Sequence, residues 1–187
     1  MATVEIKKPS TITLEFRQEK SDKDYGSCLW ARFVFDTENY DMHIMSDCGN
    51  YGYGWIPTPE HESFLKLMSR INEDYLLDKI ASRETIDNEK TYENIKFLLE
   101  QCADDELEDI GIDLEEIESA CNNRSVNDVL DGVRAELKYT SLDRHIEDYE
   151  LYENISMDYS ASQKKIAEVF KNHIQPKIKE LLKGGAE

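Results

Sequence analysis

Between Thr11 and Ile56 apolar and polar side chains alternate with a period of two, and past Pro59 the apolar spacing changes to three and four. That change of period constrains the chain most. A strand turns successive side chains to opposite faces, whereas a helix returns to the same face about every 3.6 residues. Thr11-Ile12-Thr13-Leu14-Glu15-Phe16 reads as a strand with Ile12, Leu14 and Phe16 on one face. After a polar turn at Asp22–Gly26, the run Leu29–Phe35 reads as a second, with Leu29, Ala31, Phe33 and Phe35 on one face and Trp30, Arg32 and Val34 on the other. A hairpin-like turn at Asp36–Asn39 leads into Tyr40–Met45, and Tyr51–Ile56 makes a fourth strand. Pro57 and Pro59 end the sheet, since proline cannot donate to a ladder.

The rest reads as about five helices. Pro59-Glu60-His61-Glu62-Ser63 starts one carrying Phe64, Leu65, Leu67, Met68 and Ile71, which Tyr75, Leu76, Leu77 and Ile80 extend. A second begins at Thr85–Glu89 and carries Tyr92, Ile95, Leu98, Leu99 and Cys102. Asp113–Cys121 and Val126–Leu137 are shorter, with Ser125 a candidate cap for the latter. Ser160–Leu182 is the last, kinked at Pro176, with Ile166, Val169, Phe170, Ile174, Ile178 and Leu181 inward and Gly184-Gly185 at its end. The expected fold is α+β, with an antiparallel β module over 1–59 and an acidic helical region over 60–187, possible as one domain.

Net charge is −18 over 187 residues, and its distribution matters more than its size. Residues 1–59 hold nine acids and six bases, residues 60–160 twenty-eight and ten, and residues 161–187 three and six. Such a field repels nucleic acid and anionic membranes and attracts basic surfaces. Direct DNA or RNA binding is therefore excluded. The first residues, Met1–Lys8, lack an apolar signal core, and no stretch reaches the roughly 20 apolar residues of a membrane span. The expected location is a cytoplasm.

Cys28, Cys48, Cys102 and Cys121 form no CxxC pair and no paired Cys/His spacing, so neither a zinc site nor a disulfide framework is expected. Cys102 and Cys121 fall in helical patterns, where cysteine is usually a small buried hydrophobe. The stretch Ser46–Trp55 invites a nucleophile reading, with Cys48 attacking and His43 or His61 as base. Its structural alternative is a tight strand connection, with Tyr51, Tyr53 and Trp55 packing on one sheet face. A stacking platform of Tyr51, Tyr53, Trp55 and Trp30 would need a basic groove to hold nucleic acid, which this chain lacks. His61, His145 and His173 are isolated and read as surface or cap residues. Asp143, Arg144, His145, Glu147, Asp148 and Glu150 contain metal-ligand types without a repeating pattern. With no phosphate loop and no catalytic constellation, the chain reads as no enzyme and as needing no cofactor.

The densest charge is Glu100, Asp104, Asp105, Glu106, Glu108, Asp109, Asp113, Glu115, Glu116 and Glu118, uninterrupted by Lys or Arg. A calcium loop fails, because with Gly111 as its turn glycine Ile110 and Ile117 fall on ligand positions. If these residues are largely helical, a rise of ~1.5 Å per residue puts one charge at about every 3 Å of axis. That is near the roughly 3.4 Å phosphate spacing of one DNA strand. A solvated acidic face is the other reading.

Asp24-Tyr25-Gly26-Ser27-Cys28-Leu29-Trp30-Ala31-Arg32, Ser46–Trp55 and Glu62-Ser63-Phe64-Leu65-Lys66-Leu67-Met68 together resemble small uncharacterised proteins of phages and prophages of Gram-positive bacteria. The likeness covers residues 20–80, and the acidic helical remainder looks like a variable attachment. It implies no catalytic residue. By type and composition the chain is also similar to anti-CRISPR proteins and other nucleic-acid mimics. The resemblance implies a phage-encoded inhibitor binding a host nucleic-acid-binding protein, a CRISPR effector nuclease, with the ten acids above as contacts. The alternatives are a small cysteine-dependent hydrolase or nucleotide-handling enzyme centred on the Cys48 loop, and a structural phage protein.

Overall fold

The computed structural model describes residues 10–57, 62–103 and 105–185. Four strands, β1 (Thr11–Arg17), β2 (Trp30–Asp36), β3 (Asp41–Ser46) and β4 (Gly49–Gly54), form an antiparallel sheet in chain order. Leu14 pairs with Phe33, Phe33 with Ile44, and Ile44 with Tyr51, so the apolar positions of all four strands share one face. The alternation therefore predicts both the strands and their inward face. Leu29 is a correction. It precedes β2 and is 42% exposed, because its N–H is held by Asp47 Oδ2 (2.9 Å) instead of a ladder. Asp36 builds the β2–β3 turn by accepting from the N–H groups of Glu38 (3.1 Å) and Asn39 (3.0 Å). The sheet stops at Gly54, ahead of Pro57; Pro59 lies outside the described residues.

The single helix expected over Phe64–Ile80 is two, α1 (Phe64–Met68) and α2 (Glu73–Ile80). Asn72 caps α2 by accepting from Tyr75 N, and the carbonyls of Met68 and Ile71 accept from Gln175 Nε2 at 3.0 and 2.8 Å. The orphan groups of a helix end are thus met inside the core, which makes the break tolerable. The proposed start at Pro59-Glu60-His61 lies outside the described residues. The last helix runs as α7 (Ala161–Val169), a π turn over Phe170–Ile174, and α8 (Gln175–Lys183). Pro176 cannot donate a backbone hydrogen bond and crowds the carbonyl one turn back, so the wider turn replaces a simple kink. Ile166, Val169, Phe170, Ile174 and Ile178 face inward as expected, while Leu181 is half-buried and Leu182 packs on the core.

Between these lie β5 (Thr85–Ile86), α3 (Asn88–Cys102), α4 (Leu114–Cys121), α5 (Val126–Leu137), α6 (Asp148–Glu153) and β6 (Met157–Asp158). The β5–β6 pair, the 3₁₀ turn Ser141–Arg144 and α6 carry no periodic signal long enough to read. Helix α3 starts at Asn88 with Asp87 as its cap, later than the expected Thr85, because Thr85 is in a strand. Ser125 occupies the cap position of α5 but makes no side-chain capping bond. Among the described residues this gives about seven helices, counting α7 to α8 as one run.

Contacts divide the chain into two compact units, one from residues 1–82 with 159–187, the other Arg83–Asp158. These units do not follow the 1–59/60–187 division, because α1, α2, α7 and α8 complete the sheet's own core. That core is built on Phe33, Phe35, Met42, Ile44, Phe64, Met68, Leu76 and Phe170. The second unit has its own, with Ile95, Leu99, Ile117, Val129, Val133 and Leu137 at zero exposure.

Candidate functional site

The second unit carries the charge. Arg83–Asp158 holds 23 acids and seven bases, for −16, and the rest of the chain holds 17 and 15, for −2. The acid-rich stretch is not one helix. α3 ends at Cys102 and α4 begins at Leu114, so the even spacing along a helical axis does not hold. Between them the chain turns twice. Ile110 N donates to Glu106 O (3.3 Å), Gly111 N to Glu108 O (3.1 Å), and Ile112 N to Leu107 O (3.0 Å). Gly111 takes a left-handed φ of +85°, and buried Leu107 and Ile112 anchor the loop. With both apolar anchors inward, the acids between them are held outward.

The result is a concave surface of about 880 Å³ lined by Lys96, Glu100, Asp105, Glu106, Glu108 and Asp109 together with Ala103, Leu107 and Leu114. Glu100 is the one carboxylate of this set with an ion pair among the described residues, to Lys96 at 3.9 Å. Asp113 does something else, capping α4 by accepting from Glu115 N (2.9 Å). Glu115 and Glu116 occupy the first turn of α4, where the helix dipole favours negative charge. Glu115, Glu116 and Glu118 do not line the concavity. Asp104 lies outside the described residues. Of the ten sequence-predicted acids the concavity thus gathers five. Glu100 stands in the last turn of α3, where the dipole disfavours an acid. Local helix logic accounts for Asp113, Glu115 and Glu116, but not for Glu100 or the loop acids.

Among the described residues Cys48 does not have a nucleophile's surroundings. It is 8% exposed, its Sγ donates to Ser27 O (3.1 Å), and burial pushes its thiol up. His43 is on the solvent-facing side of β3, and His61 lies outside the described residues. Tyr51, Tyr53 and Trp55 pack on the sheet's core side while Trp30 is exposed on the other, so they share no platform. Cys121 is buried, but Cys102, in the last turn of α3, is exposed. His145 is the exposed cap of the 3₁₀ turn, and His173 lies against Phe16 with ring centroids 4.7 Å apart. Glu147 and Glu150 form a capping box on α6, and Asp148 pairs with Arg134. Among the described residues, the 143–150 set does not converge as metal ligands, whereas Cys28, Asp47 and Cys48 bring three ligand atoms within 4.8 Å of one another.

A groove of about 510 Å³ lies on the first unit between Tyr40, Trp55, Leu67, Ile71 and Tyr75. Trp55 Nε1 donates to Tyr75 OH (3.1 Å), and Arg70 is paired with Glu62 at its rim. Sequence reasoning missed this groove, because it follows from the break between α1 and α2.

No described helix is long and apolar enough to cross a membrane. No curated protein and no solved structure matches the chain. The profile of the phage family Phage_phiTE_072, described as a phage family, matches residues 4–180 and so runs through the acidic unit. The acidic helices are therefore no variable attachment to a sheet module, and the whole chain belongs to this phage family.

Proposed function

We propose that this phage protein is a non-enzymatic inhibitor whose acidic unit occupies the basic nucleic-acid channel of a host defence protein. A CRISPR effector nuclease in the host cytoplasm is the partner class. One observation carries the reading: five exposed acids line one concave surface in a unit of charge −16, while the remainder of the chain is close to neutral. A fold-wide solubility charge would spread over both units. Glu100, set where the α3 dipole opposes it, costs stability, which is understandable if it serves a contact. A Lys/Arg-lined channel meets such a surface with complementary potential, which speeds encounter and fixes register. The buried, hydrogen-bonded thiol of Cys48 lends no support to a hydrolase.

The test replaces Glu100, Glu106 and Glu108 with Gln and Asp105 and Asp109 with Asn, keeping size while removing five charges. Binding to the effector should weaken by several kcal/mol in total, at roughly 0.5–1 kcal/mol per rim contact. The control neutralises Glu93, Asp131 and Glu153, which are exposed on the same unit outside the concavity. Glu147 and Glu150 are unsuitable because they cap α6. Loss of binding in the first set alone supports a shaped contact; equal loss per charge in both, or none in either, sinks it.

A further inference from the structure

A second site lies on the sheet unit. The register that places Ala31 opposite Ser46 brings the segment before β2 against the two-residue turn Asp47-Cys48 between β3 and β4. Cys28 and Cys48, twenty positions apart, thereby become neighbours, and Asp47 joins them. Cys28 Sγ lies 3.7 Å from Asp47 Oδ1. A tetrahedral zinc with Zn–S of about 2.3 Å and Zn–O of about 2.0 Å holds its sulfur and oxygen ligands roughly 3.5 Å apart, so little movement is needed.

The ligands are held from behind. Asp47 Oδ2 and Oδ1 accept from Leu29 N (2.9 Å) and Trp30 N (3.2 Å), which orients the carboxylate toward the sulfurs. Cys48 N donates to Ser46 Oγ (3.2 Å), and Tyr51 OH donates to Cys48 O (2.7 Å). Gly49, at φ +119°, leaves room for that hydroxyl, since a Cβ there would stand 2.6 Å from it. Such outer partners fix ligand geometry in metal sites. Both thiols are buried while Asp47 is exposed, which gives a dry sulfur pair with an entry path on the carboxylate side. The nearby cation, Lys165, is already paired with Asp24 and Glu168.

We propose that Cys28, Asp47 and Cys48 form a binding site for a borderline-soft divalent cation, zinc in the cell, that clips the start of β2 to the β3–β4 turn. Two sulfurs and one carboxylate oxygen suit zinc over calcium or magnesium. The fourth position falls to water or to the Ser27 carbonyl, which already lies 3.1 Å from Cys48 Sγ. On binding, both thiols lose their protons to solvent and coordinate as thiolates. A divalent cation supplies the counter-charge that two buried thiolates beside a carboxylate need.

The experiment titrates the reduced full chain with Co²⁺ under anaerobic conditions, then displaces it with Zn²⁺. The expected result is one cobalt per chain, with near-ultraviolet thiolate-to-cobalt charge transfer and the strong visible bands of tetrahedral cobalt. Cys28→Ser or Cys48→Ser should abolish charge transfer. Asp47→Asn should weaken affinity by more than the roughly 10–100-fold typical of losing an outer-shell partner. The Cys102→Ser/Cys121→Ser double variant, which keeps the proposed pair as its remaining thiols, must retain the full spectrum. Absence of charge transfer in the unaltered chain or in that double variant, or its full survival in either Cys28→Ser or Cys48→Ser, overturns the proposal.

Discussion

Gly132 lies inside α5, where Gly→Ala ordinarily stabilises by about 1 kcal/mol through helix propensity. Here the sign should reverse. A Cβ at Gly132 would stand 2.7 Å from the Ala120 Cβ on α4, against an optimum of about 3.5–4.0 Å between carbons. The two helices would have to separate by most of an ångström over the buried Ile117, Cys121, Val129 and Val133. Overpacking of this kind costs about 1–3 kcal/mol, which leaves Gly132→Ala roughly 1 kcal/mol less stable. Adding Ala120→Gly removes the opposing Cβ and leaves the new methyl 3.4 Å from the Ala120 Cα, a tight but tolerable contact. The double variant should then be at least as stable as either single, with a favourable coupling of about 2 kcal/mol. Urea denaturation followed by helical circular dichroism measures this, with amide exchange at Val129 and Val133 reporting on α5 itself. A Gly132→Ala chain more stable than wild type, with an additive double variant, would refute the close α4–α5 approach.

Asn72→Ala removes the side-chain acceptor for Tyr75 N at the start of α2 and should cost about 1 kcal/mol of stability in the same denaturation assay. The hydrogen bond from Asn39, with those from the N–H groups of Asn39 and Glu38, holds the Asp36 carboxyl below its ordinary value. Its contribution is therefore present above the unfolded carboxylate range near pH 4 and lost as pH falls through the lower folded value. Asp36→Asn should flatten that part of the acid limb, and a carboxyl NMR titration that finds Asp36 at or above its ordinary value would contradict this.

Much of the sheet unit was legible because a half-buried antiparallel sheet writes its register into alternation: Ile12/Leu14/Phe16 and Ala31/Phe33/Phe35 fall on the core side as read. The gap between α1 and α2 was not, because the Gln175 amide that satisfies its carbonyls comes from more than a hundred residues away. β5 and β6 are two residues each, and beside them the Thr91 hydroxyl inside α3 accepts from Ser156 N; no local pattern announces that. The acids were visible as composition. Their shape was not, since it depends on Gly111 reversing the chain and on Leu107 and Ile112 pointing in. The Cys28–Cys48 pair was hidden for a related reason, because it is made by strand register and not by spacing along the chain.

The most direct measurement is competition on a purified CRISPR effector nuclease of the phage's host, with the full chain and labelled target DNA titrated against each other at several salt concentrations. The proposed function requires mutual exclusion, with the chain's affinity falling steeply as salt rises because exposed ion pairs are screened. It also requires that the variant neutralised at Glu100, Asp105, Glu106, Glu108 and Asp109 no longer displaces the DNA. Simultaneous binding of chain and DNA, an affinity indifferent to salt, or full displacement by the neutralised variant would contradict it.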